Sequence, residues 1–120
     1  MLSWGLTLSL PGELLSQPGF IAFHRFGLTE TFLATAFASI GASRLVALFI
    51  NGRWPSTPHI RMAGAIFGAL LWGQVAWLLY ESAAMNNTPI PTGPAVYALL
   101  AAFEVFAINR AAFDARYHNP

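Results

Sequence analysis

The chain has no cysteine and no lysine, and only 9% of its residues carry a formal charge. Each shortage excludes something. Without cysteine there is no disulfide, no thiolate nucleophile and no sulfur ligand for a metal, and the sequence gives no clue to its redox compartment. Without lysine, all six basic residues are arginines, and they nearly balance five acids to leave a net charge of +1. So balanced a chain lacks the basic surface that phosphate binding needs, which argues against nucleic acid as a partner. A soluble domain carries about 25% charged residues, so the scarcity of charge also argues against a water-exposed globule. In its place, 56% of the 120 residues are hydrophobic, ten of them phenylalanine, and the mean hydropathy is +0.54. That length suits one domain, and that composition suits a lipid bilayer.

Three stretches reach the roughly 20 apolar residues needed to span a bilayer: about Thr29 to Ile50, about Pro58 to Tyr80 and about Pro94 to Ala112. The residues at their ends agree. Thr57-Pro58 and Thr92-Gly93-Pro94 put a capping residue ahead of a proline in the first turn, and Glu30 follows Thr29 at a helix start. Asn51-Gly52 supplies a stop, and Asn86 to Pro91 reads as a short, stiff loop. Residues 1–28 are apolar but cut by Pro11-Gly12 and Pro18-Gly19, and they lack the basic start and the small-residue cleavage site of a secretory signal. Phe20, Ile21, Phe23 and Phe26 beside His24 and Arg25 suit an interfacial or re-entrant segment at the headgroups. The expected architecture is therefore all-α: an integral membrane three-helix bundle over residues 29–120, preceded by an N-terminal interfacial segment.

Arginines outside the spans set the expected orientation. Arg53 and Arg61 flank the first loop and Arg110 and Arg116 close the third helix, whereas the second loop has none. The positive-inside bias then puts the first loop and the C-terminus in the cytoplasm of a bacterium and the N-terminal segment outside, with only Arg25 opposed. Trp54 and Tyr117 serve as inner aromatic anchors, and Trp77, Tyr80 and Tyr97 as outer ones.

Two charges fall inside the spans. Arg44 lies six residues before Ile50 and Glu104 six before Arg110, so in parallel helices both sit about 9 Å inside the inner boundary. Level with each other and costly alone in lipid, they are expected to pair across the helices. Gly41 and Ala47 near Arg44, and Ala101, Ala107 and Ala111 near Glu104, are small enough for close approach. The pair then fixes register or an oligomer contact. Arginine does not deprotonate in proteins, so only Glu104 could titrate, and one such group makes a poor proton relay.

The second span carries a Gly64-x-x-x-Gly68 seam, a close-contact pattern for membrane helices, and Gln74 on a different face. Gln74 falls near the depth of Tyr97 and is expected to hydrogen-bond there. Ala34, Ala36, Ala38, Gly41 and Ala42 give the first span a second small-residue surface, so a homo-oligomer is expected. Catalytic signatures are missing. His24, His59 and His118 are scattered without metal-ligand spacing, and Ser39 and Ser43 have no nearby base at their level. No enzyme activity, cofactor or metal is expected.

The run from Arg44 through Asn51-Gly52-Arg53-Trp54, then Thr57-Pro58, Arg61, Gly64, Trp72 and Gln74, and Tyr97 through Arg110-Ala-Ala-Phe-Asp114-Ala-Arg116, resembles small three-span membrane proteins of tailed phages and prophages. In size and topology it is similar to class I holins, although its tail is short and nearly neutral where theirs is usually lysine-rich. The resemblance implies a self-associating protein that permeabilises the cytoplasmic membrane in host lysis. The alternative is a non-lytic accessory protein that contacts a host or phage membrane protein and uses the Arg44–Glu104 pair only to hold its own bundle.

Overall fold

A computed structural model describes residues 1–50 and 57–117, all of them in helices, turns or short connections. Asn51, Gly52, Arg53, Trp54 and His118, and the side chain of Thr57, lie outside the described residues. Three long helices dominate: α3 (Glu30–Phe49), α4 (Thr57–Met85) and α5 (Gly93–Tyr117). Each is long and apolar enough to cross a membrane. None has a strongly polar stripe, as expected of helices whose outer face meets lipid. Large apolar side chains such as Phe49, Leu70, Phe103 and Phe106 point outward.

The helices outlast the apolar runs that mark them in the sequence. Thr29 caps α3 by accepting a hydrogen bond from the Phe32 amide at 3.2 Å. Helix α4 continues five residues beyond Tyr80, because nothing in Glu81-Ser-Ala-Ala-Met breaks a helix, and it ends where Asn87 takes a positive φ of 49°. Helix α5 likewise runs on to Tyr117. Helices α4 and α5 form the most extensive packing in the fold, an antiparallel hairpin on which α3 rests more lightly.

The N-terminal residues are part of this bundle. Helix α1 (Leu2–Leu8) packs antiparallel along α3. The approach is as close as backbones allow: a Cβ on Gly5 would lie 2.6 Å from the Ala38 amide nitrogen, and one on Gly41 would lie 2.6 Å from the Leu2 amide nitrogen. Trp4 then projects into the core. Its ring meets Phe37 of α3 at 4.7 Å, Trp72 of α4 at 6.3 Å and Tyr97 of α5 at 6.1 Å between centroids. Two 3-10 turns (Leu14–Ser16 and Pro18–Phe20) lead into the short α2 (Ile21–Arg25), which packs on the far end of α4. There the Ala22 amide donates to Ser82 Oγ at 3.0 Å, and Asn86 donates to the Pro18 carbonyl at 2.7 Å. Phe23 is fully buried in this cap, whereas Ile21 and Phe26 remain exposed.

Candidate functional site

The bundle holds one charged contact well inside its apolar length: Arg44 of α3 donates from Nη1 to Glu104 Oε1 of α5. At 1.5 Å per residue, Arg44 lies about 7.5 Å from the end of α3. Helix α4 runs beneath the pair, which lies against its Gly64 and Gly68.

Glycine makes that contact possible. A Cβ on Gly68 would lie 2.8 Å from Glu104 Cδ and 3.0 Å from Arg44 Nη1, and one on Gly64 would lie 3.1 Å from Arg44 Cγ. The Gly64-x-x-x-Gly68 seam therefore forms the floor under an ion pair, with the Arg44 stem on Gly64 and the paired head groups on Gly68. Gly41, expected to help α3 approach α5, instead receives α1. Ala101 is half-buried against the aromatic core, and Ala111 is fully buried.

The two partners sit in unlike surroundings. The Glu104 side chain keeps 11% of its exposure, whereas the Arg44 side chain keeps 32%. Glu104 Oε2 is buried without a hydrogen-bond partner, so the carboxylate is satisfied on one oxygen alone. Arg44 touches Met1 Sδ at 3.9 Å, a weak contact that brings α1 to the edge of the site. Arg44 also borders two hollows. One, of about 460 Å³, lies between α3 and α4. The other, of about 640 Å³, lies between α1, α3 and α5 and includes Glu104.

Gln74 does not join Tyr97. Its side chain is exposed on the outside of α4, and the Tyr97 hydroxyl is occupied by Trp4, whose Nε1 donates to it at 3.0 Å. Trp72 stacks on the Tyr97 ring at 5.3 Å and an interplanar angle of 16°, closing that face to Gln74. Trp4, Trp72 and Gly5 are the functional packing residues that spacing alone did not single out. A tryptophan beside a glycine in the apolar opening residues is the signal that was available. Asp114 of α5 meets Arg61 of α4 at 3.5 Å.

Among the described residues no three His, Asp or Glu side chains gather in a way that could hold a metal ion. Compared with protein-family models, curated proteins and solved structures, the chain matches none.

Proposed function

We propose that the protein works in the bacterial cytoplasmic membrane, with the α2 cap outside and its C-terminus inside, as a phage-type, self-associating, holin-like permeabilising protein of host lysis. Helix α1, antiparallel to α3, returns Met1 to the level of Arg44, which corrects the expectation of an N-terminus outside. The observation that carries this reading is the buried Arg44–Glu104 pair, set between two hollows in a bundle whose outer surface is apolar. A lesion-forming protein needs polar groups that stay hidden while single copies lie in lipid and that can line water once copies rearrange. Lipid supplies no hydrophobic drive between helices, so packing and polar contacts decide assembly. Thr35, Ser39, Ala42 and Ser43 leave a small, exposed face on α3 for a second copy.

A specific observation favours the alternative, a non-lytic accessory role with a host or phage membrane partner. Gly5 closes on Ala34 and Ala38, Gly41 on Leu2, and Gly64 and Gly68 on the ion pair, all within one protomer. These small-residue surfaces are used for folding and are not free for assembly.

Inducible expression in a bacterium, following optical density and membrane potential with and without a co-expressed endolysin, separates the two. Abrupt depolarisation followed by endolysin-dependent lysis is the expected result. Steady growth with the protein verifiably inserted refutes the permeabilising role and leaves the accessory one.

A further inference from the structure

We infer that the hollow between α3 and α4 is a binding site for one anionic glycerophospholipid, with an acyl chain along the groove and the phosphate at Arg61. The inference rests on the bilayer location and not on permeabilisation. The position of Arg61 comes first. Glu81 lies twenty positions further along apolar α4, a rise of about 30 Å, which matches the roughly 30 Å hydrocarbon thickness. Arg61 therefore stands at one interface, at the level of lipid phosphates.

The groove itself is apolar above that point. Ile40, Ala47 and Leu48 form one wall, Ile60 and Phe67 the other, and Ala63 and Ala107 add little bulk. From Ile60 to Phe67 it runs along about 10 Å of helix. It ends on the Arg44 stem, whose head group is turned away toward Glu104. A hollow of about 460 Å³ whose one hydroxyl, Ser43, already donates to the Ser39 carbonyl of its own helix suits a hydrocarbon chain.

Charge decides which lipid. At 3.5 Å the Arg61–Asp114 contact is long and engages a single Nη1, and a guanidinium has five N–H donors. Arg110, four residues before Asp114, and Arg116, two after it, are exposed on α5. Arg61, Arg110 and Arg116 against Asp114 leave this end of the α4–α5 hairpin with a net charge of +2 among the described side chains. A phosphodiester without a compensating ammonium complements that charge, and a zwitterionic headgroup does so less well. Basic pockets between membrane helices take anionic headgroups by this same combination.

The test uses the full chain purified in mild detergent, exposed to phosphatidylglycerol or phosphatidylcholine, with retained lipid read by native mass spectrometry and helix content by circular dichroism. Phosphatidylglycerol is expected to be retained over phosphatidylcholine. Arg61→Gln should weaken that retention about fivefold, the effect of one basic residue at an anionic surface, and Arg61→Lys should restore most of it. Ala63→Phe, which fills the groove and leaves every charge in place, should reduce retention of both lipids. Equal retention of the two lipids, an unchanged folded Arg61→Gln protein or an unaffected Ala63→Phe protein overturns the proposal. So does displacement by water-soluble glycerol phosphate alone, which would mean a phosphate site without a chain. Cross-linking that places a second copy in the groove overturns it too.

Discussion

Replacing Glu104 with leucine leaves the Arg44 guanidinium without its carboxylate inside an apolar bundle. Removing one partner of a buried pair costs about 3–5 kcal/mol, because the stranded charge remains desolvated. Arg44 is not fully dry: its side chain keeps 32% of its exposure. Being about 7.5 Å from its helix end, it can turn its head toward the interface. Screening and snorkelling of this kind bring the expected loss down to about 2–3 kcal/mol. Adding Arg44→Met removes the stranded charge, so the double variant should lie within about 1 kcal/mol of the parent, as apolar replacements of buried pairs do. The assay is a reversible unfolding titration in mixed micelles, followed by helix content and tryptophan fluorescence, on both single variants and the double. Arg44→Met alone strands the more buried Glu104 and should cost no less than Glu104→Leu, so the coupling between the two sites should be at least about 3 kcal/mol. Additive losses, with the double variant as damaged as the two singles summed, refute the argument that the charges stabilise each other. A single Glu104→Leu loss below about 0.5 kcal/mol, the size of an ordinary surface change, refutes the argument that Arg44 depends on Glu104.

Three further perturbations follow from close contacts. Gly68→Ala pushes a methyl group into the paired head groups and should cost about 1–3 kcal/mol in the same titration. That loss should shrink in a Glu104→Ala background, where the obstructing carboxylate is gone; an equal loss in both backgrounds contradicts the floor role of Gly68. Gly5→Ala meets backbone atoms of Ala34 and Ala38 that cannot rotate away, so α1 should leave the bundle while α3, α4 and α5 remain. Limited proteolysis near Pro11-Gly12 and a shift in Trp4 fluorescence report this, and a protected N-terminal segment contradicts it. Ser82→Ala removes the acceptor of the fully buried Ala22 amide and should cost about 1–3 kcal/mol. Amide exchange at Ala22 should rise, and unchanged protection there would show that the hydroxyl is not what holds the α2 cap to α4.

What could be read from the residues, and what could not, divides along physical lines. The three spans were legible because charge is nearly absent from them and turn residues bracket them. Their far ends were not, since a helix such as Glu81-Ser-Ala-Ala-Met continues until something breaks it, whether or not it is apolar. The Arg44–Glu104 pair was legible from depth alone, because rise per residue converts sequence position into height. Height says nothing of which helix lies beneath the partners, so Gly64 and Gly68 read as a helix-contact seam and not as the floor of the pair. The Gln74–Tyr97 expectation failed for a related reason. It matched two residues by depth without counting α1, a seven-residue helix too short for periodicity to mark and separated from the bundle in sequence by two proline-glycine breaks. That helix brings in Trp4, which takes the Tyr97 hydroxyl. Sequence order hides such re-entry, because the partner contacts span 93 positions.

The most direct test of the account is a dipolar-recoupling measurement between guanidino nitrogen-15 of Arg44 and carboxyl carbon-13 of Glu104 in the protein reconstituted into bilayers, assigned by comparison with the Glu104→Gln variant. The account predicts strong dephasing, corresponding to nitrogen and oxygen within the ~4 Å of an ion pair, with the Glu104 carboxylate shielded from bulk water. Absence of dephasing, with Arg44 exchanging freely at an aqueous interface, would contradict it, because the bundle would then be held together without the pair on which α3, α4 and α5 converge.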